Sequence, residues 1–182
     1  AAATNLAGPD RVLQVPDKAA FVEDVRQALW ASKVVAYSQG FDEIRTGGVE
    51  FGWNINVADC AKIWRDGCII RAKLLENIRQ EYSADADLVS LMAAPSIAPK
   101  LAEYNDAWRR VVAAAVQAGV AAPVFASSLA YYDMARAPRN NAAVTQGLRD
   151  YFGSHTYERV DAPGHYHLDW SGDRSESKTS DN

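Results

Sequence analysis

The 182 residues contain no Gly-x-Gly-x-x-Gly, no P-loop and no Gly-x-Ser-x-Gly. The usual nucleotide cradle and the hydrolase elbow are therefore excluded, and any nucleotide fold serving this chain lies elsewhere. Cysteine is scarce, limited to Cys60 and Cys68. Both fall on one predicted helix, about two turns apart along its axis and too far for a disulfide, which favours a reducing, cytoplasmic setting. Nothing places a base beside either thiol, so they read as packing residues rather than nucleophiles. Histidine is limited to His155, His165 and His167. The His165-Tyr166-His167 pair has no third ligand at a recognisable interval, so no metal is expected.

Long apolar runs are also missing. None approaches the roughly 20 residues that cross a bilayer, so no membrane partner is expected. Ala1 to Asp10 lacks a charged leader followed by an apolar stretch, and no secretory signal is expected. Nor is there a block of one charge: 19 basic and 23 acidic residues give a net charge of -4. That balance argues against nucleic acid and leaves any bound anion to be held locally. Apolar side chains are plentiful, at 48% of the chain, enough for one globular core.

The apolar spacing predicts helices throughout. An irregular lead-in over 1–18 ends at Pro16-Asp17, which is placed to start a helix over 17–43. A Gly-rich turn at Gly47, Gly48 and Gly52 precedes a second helix over 57–80. A short helix over 88–92 lies ahead of Pro95 and Pro99, and a strong one over 102–118 stops at Gly119. Pro123 opens another to 136, and 142–153 gives the last, with Val144, Leu148, Tyr151 and Phe152 as its apolar side. The polar run 171–182 reads as an extended tail unable to bury enough surface to fold alone. No strand alternation and no repeat is found. The expected fold is all-α: a cluster of five or six helices over 19–170, followed by that C-terminal tail.

Two cations break the pattern. Wound at about 100° per residue, the 57–80 helix gathers Cys60, Ile63, Trp64, Gly67, Cys68, Ile70, Leu74, Leu75 and Ile78 on one face, and Arg71 falls in its middle. On the 17–43 helix, Val22, Val25, Leu29, Trp30, Ala36, Tyr37 and Phe41 share a face centred on Lys33. Such a charge must snorkel, pair with a carboxylate or meet an anionic ligand. Arg149 and His155 flank Asp150-Tyr151-Phe152-Gly153-Ser154, which leaves a helix at Gly153 and puts two donors near one turn. A phosphorylated or carboxylated small molecule would satisfy all four, with Arg71 and Arg149 able to grip oxygens bidentately. The residues alone lead to an all-α module with a candidate anion site.

Several segments carry a resemblance. Ala28-Leu29-Trp30-Ala31-Ser32-Lys33 running on to Ser38-Gln39-Gly40-Phe41, and Trp64-Arg65-Asp66-Gly67-Cys68-Ile69-Ile70-Arg71, are two. Trp108-Arg109-Arg110-Val111-Val112, Ser128-Leu129-Ala130-Tyr131-Tyr132-Asp133, Arg149-Asp150-Tyr151-Phe152-Gly153-Ser154-His155 and His167-Leu168-Asp169-Trp170 follow in order. Together, over 21–170, they resemble the C-terminal helical domain of decarboxylating 6-phosphogluconate dehydrogenases. The resemblance implies that NADP takes a hydride from C3 of 6-phosphogluconate, the 3-keto intermediate loses carbon dioxide, and the enediol is protonated to ribulose 5-phosphate, a step of the pentose phosphate pathway. It implies phosphate contacts from Lys33 and Arg71, and from Arg149 and His155 reaching the neighbouring subunit's site in a homodimer.

In that family the Rossmann domain and the helix bearing the catalytic lysine and glutamate precede the matched region. No catalytic residue is therefore expected in this chain, NADP would be held mainly outside it, and it would not turn over substrate alone. Three stretches depart from the pattern: the Gly-rich 45–51, Asp66 where a small residue is usual, and the loosely matching 139–148. Arg174 and Lys178 receive no cofactor role. Two other readings stand beside this one. A stand-alone helical dimerisation or regulatory module would have the scaffold without the catalysis, and a β-hydroxyacid dehydrogenase for an unphosphorylated acid would leave Lys33 and Arg71 with no phosphate to meet.

Overall fold

Asp17 starts the first helix, α1 (Lys18–Glu50), because its carboxylate accepts from the Ala19 and Ala20 amides at 2.8 and 3.0 Å. Those two donors have no partner inside the helix. The computed structural model describes residues 6–179, so the outermost parts of the predicted lead-in (1–5) and tail (180–182) lie outside the described residues. α1 runs to Glu50 rather than 43, straight through Gly47 and Gly48. Gly48 is buried, and a Cβ there would lie 3.4 Å from the Trp53 carbonyl oxygen. The chain turns instead at Gly52, whose φ of +66° suits a residue without a side chain.

The helix predicted over 57–80 is two helices, α2 (Val57–Ile63) and α3 (Leu74–Ala84), packed on each other. Gly67, at φ +66°, breaks it, and Asp66 accepts from the Gly67 amide at 2.9 Å to hold the bend. The β-branched pair Ile69-Ile70 adds little helical propensity to resist the break. Packing decides the outcome: the bend lets Trp64 reach the Phe41 ring, with centroids 5.1 Å apart, while Leu75 and Ile78 enter the core from another direction. A short 3-10 turn at Leu91–Ala93 stands where a helix was predicted over 88–92. α4 (Ala98–Gln117) and α5 (Pro123–Ala135) follow. Just past the end of α4 stands Gly119, φ +64°, against which Pro9 packs so closely that a Cβ would come within 2.6 Å of its ring.

By contacts the chain forms two compact units, Ala1–Asp133 and Met134–Asn182. In the first, Trp108, Phe41, Leu75, Ile78, Leu91, Ile97 and Leu101 are fully buried. Trp108 lies at the centre and its indole N–H donates to the Phe125 carbonyl at 3.2 Å, tying α4 to α5. Arg110 grips Asp24 through two hydrogen bonds of 2.7 and 2.8 Å, tying α4 to α1.

The second unit holds α6 (Ala142–Gly153) and three short antiparallel strands in the order β1 (Tyr157–Glu158), β2 (His165–Leu168), β3 (Glu176–Lys178). Tyr157 pairs with Tyr166, and His167 with Ser177. These strands differ from the expectation of none, because two to four residues are too few to leave an alternating signature. The predicted tail is accordingly not all extended coil, since β3 falls within it and hydrogen-bonds to β2. Nor does the apolar side of α6 turn inward: Val144, Leu148, Tyr151 and Phe152 are exposed. The chain is mostly helical, as the all-α expectation requires.

Candidate anion-binding site

Lys33 is exposed, contrary to the expectation that it sits among core residues. The helix has a second, better inward face of small side chains, Ala28, Ala31, Val35 and Ser38, all buried. Lys33 lies about 200° round the axis from Ala31. Val22, Leu29 and Ala36 are exposed with it, so its apolar neighbours are real but face outward.

Arg71 is exposed too, for a different reason: the break at Gly67 takes it off any helix. It lies in the connection 64–73, which is fixed to α1 at two points. Trp64 packs on Phe41, and the Tyr37 hydroxyl donates to the Ile70 carbonyl at 3.1 Å. Tyr37 is one turn beyond Lys33, so the connection bearing Arg71 is held by the turn of α1 next to Lys33. Arg71 lines a cleft of about 480 Å³ with Arg65, Lys73, Glu76 and Asn77. Glu76, the carboxylate there, is already paired with Arg65 and with Arg79. Among the described residues Arg71 and Lys73 have no anionic partner, so the cleft is receptive to an anion.

Arg149 and His155 belong to the second unit and are both exposed. Arg149 donates to the Gln146 side-chain oxygen at 3.1 Å, and the amide of Gln146 donates to the Thr156 carbonyl at 2.5 Å. His155 stands edge-on to Phe152, with centroids 5.8 Å apart, and covers Gly153 so tightly that a Cβ there would lie 2.6 Å from its Nε2. It opens onto a cleft of about 880 Å³ also lined by Arg139, Gln146, Arg159, His165 and Glu176. The four residues named from sequence thus fall two to each unit, and Lys33 and Arg71 are brought to one region of the first.

Between Arg149 and His155 lies a residue that sequence reasoning passed over. Asp150 is completely buried, and its carboxylate accepts from the Thr156 amide (2.9 Å), the Leu168 amide (3.1 Å) and the Trp170 indole (2.8 Å), with His167 Nδ1 at 2.8 Å. Burial alone would raise its pKa. The donations from His167, Trp170, Leu168 and Thr156 outweigh it and hold the carboxyl at about 2. His165, two residues from His167 in β2, instead lies 4.0 Å from Glu158, so the two histidines serve different partners. The only trace of this hub in the sequence was an acid beside two donors.

The family model described as the C-terminal domain of 6-phosphogluconate dehydrogenase matches residues 1–170. The chain belongs to the 6-phosphogluconate dehydrogenase family. A chloroplastic decarboxylating 6-phosphogluconate dehydrogenase of Spinacia oleracea is 48% identical over 155 residues, which are 85% of this chain and 29% of that protein. The Salmonella typhimurium enzyme is 45% identical over 170 residues, 93% of this chain and 36% of that protein. Among solved structures, 6-phosphogluconate dehydrogenase of Plasmodium falciparum, studied in its apo form, with NADP+ and with 6-phosphogluconate, superposes with a TM-score of 0.84 at 32% identity, covering 93% of this chain and 36% of that one. The chain thus spans about a third of the length of the family members it matches. No helix among its described residues is long and apolar enough to cross a membrane.

Proposed function

We propose that this chain is the substrate-binding and dimerisation part, centred on residues 19–170, of an NADP-dependent, decarboxylating 6-phosphogluconate dehydrogenase. In that reaction the C3 hydroxyl of 6-phosphogluconate is oxidised by hydride transfer to NADP, carbon dioxide leaves, and ribulose 5-phosphate remains. Lys33, Arg71, Arg149 and His155 hold the substrate phosphate, the last two across a homodimer interface. Hydride and proton transfer fall to groups outside this chain.

One observation carries this reading. Arg26, Arg65, Arg79, Arg109, Arg110 and Arg159 each pair with a carboxylate, whereas Arg71 and Arg149 do not among the described residues. A guanidinium cannot shed its charge, so an unpaired one within a family that acts on a phosphorylated acid is matched to that phosphate. Among the described residues Arg11, Arg45, Arg139 and Arg174 also form no ion pair with a carboxylate, so freedom is a necessary condition and family position supplies the rest. The outward apolar stripe of α6, Val144, Leu148 and Tyr151, supports the dimer, because such a stripe on a soluble helix calls for a covering surface. The unpaired thiols of Cys60 and Cys68 support a reducing compartment, and we place the protein in the cytoplasm.

The test is Arg71→Ala in the complete enzyme. Losing one charge-assisted contact is worth about 1.5–3 kcal/mol, so KM for 6-phosphogluconate should rise roughly tenfold to a hundredfold. An unchanged KM overturns the assignment. Calorimetric titration with phosphorylated and unphosphorylated gluconate sharpens it, since only the former should bind more weakly in the variant.

A further inference from the structure

We propose that Asp150 is a positioning residue that sets Arg149 and His155 for their anion, an inference that rests on the function proposed above. Its carboxylate has no capacity left for a ligand. Oδ1 takes the Thr156 amide and His167 Nδ1, and Oδ2 takes the Leu168 amide and the Trp170 indole. An ionised carboxylate only accepts, so His167 must donate, and four donors fill its four lone-pair positions. A saturated, buried acid does not touch substrate. It acts through what it holds.

What it holds is the turn bearing His155. Ser154 and Thr156, on either side of that histidine, have φ of +51° and +61°, a left-handed conformation that residues with side chains adopt reluctantly, a β-branched threonine most of all. Asp150 pins both: its backbone carbonyl accepts from the Ser154 amide at 2.9 Å, and its Oδ1 accepts from the Thr156 amide at 2.9 Å. Gln146 completes the frame, taking a donor from Arg149 and giving one to the Thr156 carbonyl. Arg149 and His155 are therefore referred to one clamp. Through Leu168, His167 and Trp170 that clamp is fixed to β2 and the residues just after it.

The experiment uses the complete enzyme and reads KM for 6-phosphogluconate against kcat. Asp150→Asn keeps the shape but turns one accepting oxygen into a donor facing two donors. KM should rise about tenfold with kcat little changed, the pattern expected when a ground-state contact is misplaced. In an Arg149→Ala, His155→Ala background, itself raised in KM, adding Asp150→Asn should raise KM no further. An unchanged KM for Asp150→Asn, or the same fold-rise in both backgrounds, overturns the positioning role while leaving the phosphate reading intact. If the Arg149→Ala, His155→Ala enzyme has the parent KM, the phosphate reading fails and this inference with it. Should Asp150→Asn not fold, Trp170→Phe removes one donor of the four and keeps a ring. It should give a smaller rise in KM, about threefold, again absent from the double-variant background.

Discussion

The two units of this chain are held together by opposite means. The first buries Trp108, Phe41, Leu75, Ile78 and Leu101 in a contiguous apolar core. In the second, among the described residues, the only buried side chain is a carboxylate, Asp150, while Val144, Leu148, Tyr151 and Phe152 face outward. Apolar burial is non-directional and builds a scaffold tolerant of small shifts. Hydrogen bonds to a buried charge fix direction and distance, and leave large costs when a partner is lost. The unit that carries Arg149 and His155 relies on the directional kind.

The comparison can be broken first in the scaffold. Trp108→Ala should destabilise the first unit by about 3–5 kcal/mol, read as faster hydrogen exchange in α1 and α4. A loss below about 1 kcal/mol would mean that the apolar core is not what holds this unit.

Acid should act in the reverse order. Asp150 has its pKa lowered to about 2 in the folded chain, against an ordinary 3.8. Its contribution is complete above the ordinary value and is lost as pH falls through the folded one. Between about pH 4 and pH 2 the amides of Thr156 and Leu168 should therefore lose protection before that lowered carboxyl fully protonates, while Leu75 and Trp108 in the first unit keep theirs longer. Equal loss in both units across that interval would erase the distinction.

The smallest effect tests the strained turn. Ser154→Gly relieves a positive φ and should leave stability within about 1 kcal/mol of the parent, on the favourable side, by thermal melting. A clear destabilisation would show that the serine side chain, rather than the clamp on its backbone, matters there.

Much of the helical outline was legible because helix ends carry local signals. Asp17 begins α1, Gly119 follows the end of α4, and α6 occupies the predicted 142–153. The break at Gly67 was hidden because the apolar periodicity continues across it; only the competition between Trp64 reaching Phe41 and Leu75 entering the core decides for a bend. Which side of α1 faces inward was hidden as well, since apolar residues surround most of its circumference and the small ones, Ala28, Ala31 and Ser38, prevail by allowing close approach. Lys33 and Arg71 were singled out as charges buried on apolar helix faces, and the fold exposes both: Lys33 lies on the outward side of α1, and the break at Gly67 takes Arg71 off any helix. Asp150 stayed unseen because its partners Thr156, His167, Leu168 and Trp170 lie six to twenty residues away in sequence, beyond any helical or strand period.

The connection 64–73 leans on Tyr37 and Phe41, and Lys33 rides on the same rod one turn earlier. Both positive groups are thereby referred to one rod, Lys33 directly and Arg71 through the connection. Loosening Tyr37 or Phe41 should therefore displace Arg71 while leaving Lys33 where it stands.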